Sequence, residues 1–251
     1  MEFPHLSKAP IIEAVIDIQT ISKESMPQDQ IIEALKNAHS QIKSEFPEIQ
    51  ARISRKIEIT GTPPETVVRD LTEGYFYKST DGVNVLQFRR YGFTLSRVQK
   101  YENFDLLLAN AQRLWPIYLS VCGDVAVSRL AVRYINQIKV PFPLLNNDDY
   151  LTDLRKPKTS PSETKLIRSF ADQTVSLDAA SGATVSLVRF MQEPAKDATE
   201  AIVTVDIDVF RVVSDMAKDD KQLWDIIMSF RDVKNRLFFG AVGKRAIESY
   251  I

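Results

Sequence analysis

The segment from residue 127 to 140, VSRLAVRYINQIKV, constrains the fold more than any other part of the chain. It alternates with period two and is rich in β-branched and aromatic residues, which predicts a β-strand. At the usual rise its fourteen residues span ~45 Å, whereas an average strand has only five or six residues. We therefore expect it to lie at the centre of a sheet. One predicted face carries Leu130, Val132, Tyr134, Asn136, Ile138 and Val140, and the other carries Arg129, Ala131, Arg133, Ile135 and Lys139.

The same alternation predicts further strands, and apolar residues at helical spacing predict helices between them. The expected strands cover 11–20, 52–60, 75–80, 83–90, 93–98, 165–177, 184–191 and 200–213. Asp81-Gly82 between two of them indicates a tight hairpin, since this pair accepts positive φ angles. Helices are expected after Pro27, after Asn103 and from 223 to 237, with a last one from 238 to 251 interrupted near Gly240 and Gly243.

These elements predict an α+β protein. We expect a long, mostly antiparallel sheet in two related halves, with three or four amphipathic helices packed on one face. The relation between halves is inferred from two strand-then-helix patterns, which begin at residues 11 and 200. Residues 1–140 would form the first half and 165–251 the second. The segment 141–164, rich in Pro, Asn, Ser and charge, would join them within one compact unit.

Composition limits the partners and the compartment. A net charge of −1, with 44% hydrophobic and 26% charged residues, is ordinary for a globular protein and gives no pull toward nucleic acid or anionic membranes. The single cysteine fits a reducing compartment, no run of eighteen apolar residues occurs, and the first residues have no signal pattern. We expect a cytoplasmic protein that binds neither membranes nor nucleic acid.

The chain is poor in the residues on which most cofactor and metal sites depend. None of its eight glycines has phosphate-cradling spacing, and only two histidines occur. These counts exclude dinucleotide motifs, common zinc sites and histidine-based triads. We expect no metal and no cofactor, and a binding protein is favoured over an enzyme.

The candidate binding residues lie on the polar face of the predicted sheet. They are Glu13, Asp17, Lys56, Arg129, Arg133, Asp206 and Asp208, and the same face would also carry Arg52, Gln87, Arg89, Lys139 and Arg189. The simpler interpretation is a solvated face held by cross-strand ion pairs, with Glu13 and Asp17 opposite Arg129 and Arg133. The alternative is a groove or barrel lumen, in which the arginines bind a phosphate or carboxylate. In that case the Asp-Ile-Asp at 206–208 would serve Mg²⁺ or act as a general base.

Three segments carry a resemblance to a known family. APIIEAVIDI at 9–18, RLAVRYIN at 129–136 and the late helix containing Phe238-Phe239 resemble a sporadically distributed prokaryotic family of about 250 residues. RLAVRYIN is the most specific of the three. The family has no established activity, so the resemblance implies a prokaryotic accessory gene, for example in a defence or toxin–antitoxin system. It transfers no catalytic residue to this chain.

The sequence thus favours a non-enzymatic interaction protein. Its partner would be another protein, encoded nearby, and the chain itself would be a candidate for homo-oligomerisation. The alternative is a nucleotide- or phosphate-binding protein, or a Mg²⁺-dependent phosphate-handling enzyme, that uses the polar sheet face.

Overall fold

The computed structural model describes residues 3–23, 27–62, 65–144, 147–154, 168–217 and 221–251. Its strands are β1 (Ile11–Ser22), β2 (Glu48–Thr60), β3 (Glu65–Lys78), β4 (Asn84–Arg89), β5 (Gly92–Val98), β6 (Val125–Pro141), β7 (Phe170–Asp178), β8 (Ala183–Met191) and β9 (Glu200–Ala217). Its helices are α1 (Gln28–Asn37), α2 (His39–Ile42), α3 (Phe104–Cys122), α4 (Lys221–Ala241) and α5 (Lys244–Glu248), with a 3₁₀ turn at Asn147–Asp149.

The strands form one antiparallel sheet in the order β2-β3-β4-β5-β1-β6-β9-β8-β7. The α+β class and the antiparallel sheet are therefore confirmed. The central position expected for the alternating segment is also confirmed, because β6 pairs with β1 on one side and with β9 on the other. Within the described residues β2 and β7 each pair with one neighbour, so the sheet is open and encloses no barrel lumen.

The hydrophobic core covers one face of the central strands. Ala14, Ile16 and Ile18 of β1 lie opposite Tyr134, Val132 and Leu130 of β6, and all six are buried. Each strand meets the core with every second residue, as the alternation predicts. The helices contribute to the same buried cluster through Leu35, Leu107, Leu114, Leu223, Ile227 and Phe230.

Two segments differ from the expectations. Helix α4 continues through Gly240 to Ala241, whereas the interruption expected near Gly243 is present, and a separate short helix begins at Lys244. In the predicted junction, Leu144 and Leu151 are fully buried, so these two residues anchor it to the core. Residues 155–167, which include the rest of the junction and the first residues of a predicted strand, lie outside the described residues. None of the described helices combines the length and the apolar composition that crossing a membrane would require.

The hairpin of β2 and β3 extends past the end of β4. Strand β3 pairs with β4 only from Gly74 to Lys78, whereas its pairing with β2 continues to Glu65. The register of β2 and β3 shifts by one residue between Arg52 and Ile53, next to Gly74. We call the protruding part, residues 53–62 and 65–72, the arm. At about 3.3 Å per residue it is roughly 30 Å long.

Candidate functional site

Asp17 is the centre of an ion-pair network on the polar sheet face. Its carboxylate accepts a hydrogen bond from the hydroxyl of Thr94 at 2.6 Å and from the guanidinium of Arg89. Arg129 bridges Asp17, at 3.4 Å, and Asp208, at 2.9 Å. The side chains of Asp17 and Arg129 are 16% and 21% exposed, so water screens this network only partly.

Arg133 forms a second pair on the same face. Its Nε and Nη2 atoms donate to the two carboxylate oxygens of Asp206 at 2.9 and 2.5 Å, a two-point geometry. This hydrogen bonding raises the pKa of Arg133, and Glu13, which lies on the same face, acts on it in the same direction. Burial raises the pKa of Asp208, against the opposite effect of Arg129 and Arg133.

The arginines of this face have their partners within the chain. The guanidinium of Arg129 also lies 4.3 Å from the ring centroid of Phe210, which covers it as a cation–π contact. Each arginine of the network therefore has an intramolecular carboxylate, and an incoming anion would have to displace it. Within the described part of the chain, no group of three His, Cys, Asp or Glu side chains gathers as a metal site would need. The geometry favours cross-strand ion pairing over a ligand groove. The expected pairing is correct for Asp17 with Arg129, but Arg133 pairs with Asp206 on β9 instead of a carboxylate on β1.

Six of the seven candidate residues share this face near β1, β6 and β9, and Lys56 does not join them. Lys56 lies in the arm, where its Nζ atom is 2.5 Å from a carboxylate oxygen of Glu58. The expectation that Arg189 lies on the polar face is wrong. Arg189 is opposite Val205, whose side chain faces the core, and it is buried against Asp172 and the carbonyl oxygens of residues 152 and 153.

The protrusion of the arm was not indicated by the sequence patterns, although its first strand was predicted at 52–60. One of its faces presents four large apolar side chains to solvent, exposed by 53% to 69%: Ile53, Ile57, Ile59 and Val68. Between them, Arg55 donates two hydrogen bonds to Asp70, at 2.7 and 2.9 Å. Ile57, Ile59 and Val68 are direct neighbours, and contiguous exposed apolar side chains are typical of interaction sites. The available signal in the sequence was three isoleucines, at 53, 57 and 59, that fall on one face of the predicted strand.

Comparison with known proteins assigns no family. No family model matches the chain, and no curated protein matches it. Among solved structures, one described as KH domains is similar over 94% of this chain at 10% identity with a TM-score of 0.23. The chain spans 64% of that protein, less than two thirds of its length. A TM-score this low carries no argument about fold or function.

Proposed function

We propose that this chain is a non-enzymatic interaction protein that inserts its arm into an apolar cleft of another protein. The observation that carries the proposal is the exposure of Ile53, Ile57, Ile59 and Val68 on a hairpin that leaves the sheet. A two-stranded hairpin is marginally stable by itself in water. Retaining large apolar side chains on it makes physical sense if a partner covers them.

The charges of the arm favour a neutral, apolar cleft. Its three basic residues, Arg55, Lys56 and Arg69, are matched in number by Glu58, Glu65 and Asp70. Arg55 and Asp70 pair with each other, and so do Lys56 and Glu58. A partner therefore needs to supply no counter-charge for these four groups.

The size of the arm favours insertion over contact along one face. A stable interface uses about 20–30 residues on each side, and one face of the arm offers about half of its eighteen described residues. Burial of both faces brings the contact close to the lower end of that range. A cleft that surrounds the arm meets this requirement, and a flat surface does not.

We also propose that the sheet consists of two related halves with the helices on one face. The mirrored strand order supports this: β5, β4 and β3 follow β1 outward, and β9, β8 and β7 follow β6 outward. In this arrangement β1 corresponds to β6, rather than to β9 as the strand-then-helix patterns suggested. The contacts of α3 with β1 and β5, and of α4 with β6 and β9, support the same correspondence.

Site-specific photo-crosslinking tests the role of the arm. A photoreactive amino acid at position 57 is expected to capture a specific partner in the native cell, which we propose is encoded next to this protein. The same probe at Val175, an equally exposed residue on β7, is the matched control and should capture none. The captured partner is then purified and titrated against this chain.

The variants decide the outcome. Ile57→Asp should weaken the reconstituted complex by about tenfold or more, because a buried isoleucine contributes about 1.5–3 kcal/mol, whereas Val175→Asp should leave it unchanged. Equal affinity for the wild type and Ile57→Asp would refute the proposal. So would a dimer of the purified chain that Ile57→Asp dissociates, since the arm would then bind a second copy.

A further inference from the structure

A cavity of about 270 Å³ lies between the N-terminal segment, the start of α3, strand β6 and helix α4. It is separate from both the polar sheet face and the arm. Its apolar walls include Leu6, Ile11, Tyr101, Phe104, Phe238 and Phe239. Phe3 stacks on Phe239 with ring centroids 4.8 Å apart, so the N-terminal segment forms one side of the cavity. Polar side chains, among them Asn136, Lys234 and Asn235, also line it, and a mostly apolar cavity on which polar groups converge is typical of small-molecule sites.

Among the residues that the structure describes, the charges around the cavity leave the ammonium of Lys234 without a counter-charge. Glu102 pairs with Arg97 at 3.0 Å, and Arg231 pairs with Asp105 at 3.2 Å. Lys234, which also lines the cavity, pairs with no carboxylate among the described residues. Its Nζ atom lies 4.3 Å from the ring centroid of Tyr134, a cation–π contact that compensates part of the lost hydration.

The surroundings of Lys234 disfavour its charge in the absence of an anion. Burial, with a smaller contribution from the nearby charge of Arg231, lowers the pKa of Lys234 to about 8. A desolvated ammonium without a counter-charge is energetically costly, and an anion beside it would remove most of that cost. The neighbouring side chains that could offer a negative charge, Glu102 and Asp105, are already paired.

We propose that this cavity binds a small organic monoanion, a carboxylate with an apolar body, whose carboxylate contacts Lys234. The volume indicates the size of a ligand that would fill it. It exceeds the ~150 Å³ of an apolar cavity that holds benzene and lies just below the range of drug-sized ligands. Short aromatic acids and medium-chain aliphatic acids have this size and this single charge.

Isothermal titration of the purified full chain with phenylacetate and hexanoate tests the proposal, with phenylacetamide and hexylamine as neutral and cationic controls. At least one carboxylate should bind with one-to-one stoichiometry, and its matched control should bind about tenfold more weakly or not at all. Lys234→Met keeps the length of the side chain and removes the charge, and it should weaken binding of the carboxylate about tenfold or more. Lys234→Arg keeps the charge and should retain binding.

Lys244→Met is the matched control, since Lys244 lies exposed on α5, outside the cavity, and pairs with Glu248. It should bind as the wild type does. Circular dichroism of each variant verifies that the fold is kept. Absence of binding by both acids at about 10 mM, equal binding of an acid and its neutral control, or unchanged affinity in Lys234→Met would each overturn the proposal.

Discussion

Removing the carboxylate of Asp17 tests whether the polar face contributes to stability. Asp17→Ala deprives Arg89, Thr94 and Arg129 of a shared acceptor. Arg129 keeps Asp208, but among the described residues Arg89 keeps only Thr94, and its Nε atom is already buried there without a hydrogen-bond partner. Hydrogen bonds to charged groups contribute about 1.5–3 kcal/mol each, and partial exposure reduces this. We expect a loss of about 2–3 kcal/mol.

The loss can be measured by urea unfolding followed through the fluorescence of Trp115 and Trp224. Heat unfolding should show a melting temperature lower by about 4–6 °C, because the unfolding entropy of a chain this long is roughly 0.5 kcal/mol per kelvin. Asp70→Ala is the matched control. It breaks the Arg55–Asp70 pair of the arm, where both side chains are well exposed, and should shift the midpoint much less.

A double-mutant cycle separates the ion pair from other effects of the substitution. Arg89→Met retains the packing of the side-chain stem, and combined with Asp17→Ala it leaves no guanidinium without its carboxylate. The double variant should therefore be more stable than the sum of the single losses predicts, by about 1–2 kcal/mol. Additive losses, or an Asp17→Ala loss no larger than that of Asp70→Ala, would refute this account of the network.

Three further predictions concern single positions. Burial raises the pKa of Asp208 in the folded chain, so its contribution to stability falls as the pH rises from the ordinary pKa of 3.8 toward the raised one. Over that range the urea midpoint of Asp208→Asn should rise relative to that of the wild type. A constant difference between the two midpoints would contradict this. Arg133→Ala should lower the melting temperature, and millimolar nucleotides or polyphosphate with Mg²⁺ should not raise that of the wild type; a rise that Arg133→Ala abolishes would favour the anion-binding alternative. Gly74→Ala should strongly lower stability in urea, since its Cβ would overlap the carbonyl oxygen of Phe88 and lie 2.7 Å from the Cα of Arg89. Gly240→Ala should not, because Gly240 lies in a helix with open space around it. Similar stability of the two variants would contradict the close approach at Gly74.

The central strands were predictable because one of their faces is buried. In β1 and β6 a buried face requires an apolar residue at every second position, and this periodicity is visible in the sequence. The arm has no buried face, so its apolar residues need not alternate. They still do so in β2, at Ile53, Ile57 and Ile59, but in β3 Val67 and Val68 point to opposite sides. The strand that begins at Glu65 therefore gave no period-two signal before Tyr75.

For the candidate residues of the polar face, the sequence predicted which face of its own strand each residue lies on, but not which residues it contacts. Alternation places Arg129 and Asp208 on a face of their own strands, but their contact depends on β9 lying next to β6, which are separated by 58 residues in the chain. The same limit applies to Lys56. It lies on the expected face of its strand, but that part of the strand belongs to the arm, away from the other candidates. Arg189 shows the reverse case, since a buried arginine that pairs with Asp172 occupies a position that alternation assigns to apolar residues.

The arm has a consequence for how much of this protein a cell can hold. Strand β2 forms an outer edge of the sheet, and an unpaired edge beside exposed isoleucines is a template on which strands of other chains can add. If a partner covers the arm, copies made in excess of that partner keep this template exposed. Their tendency to aggregate grows with concentration, so balanced synthesis of the two proteins becomes a condition for keeping the chain in solution.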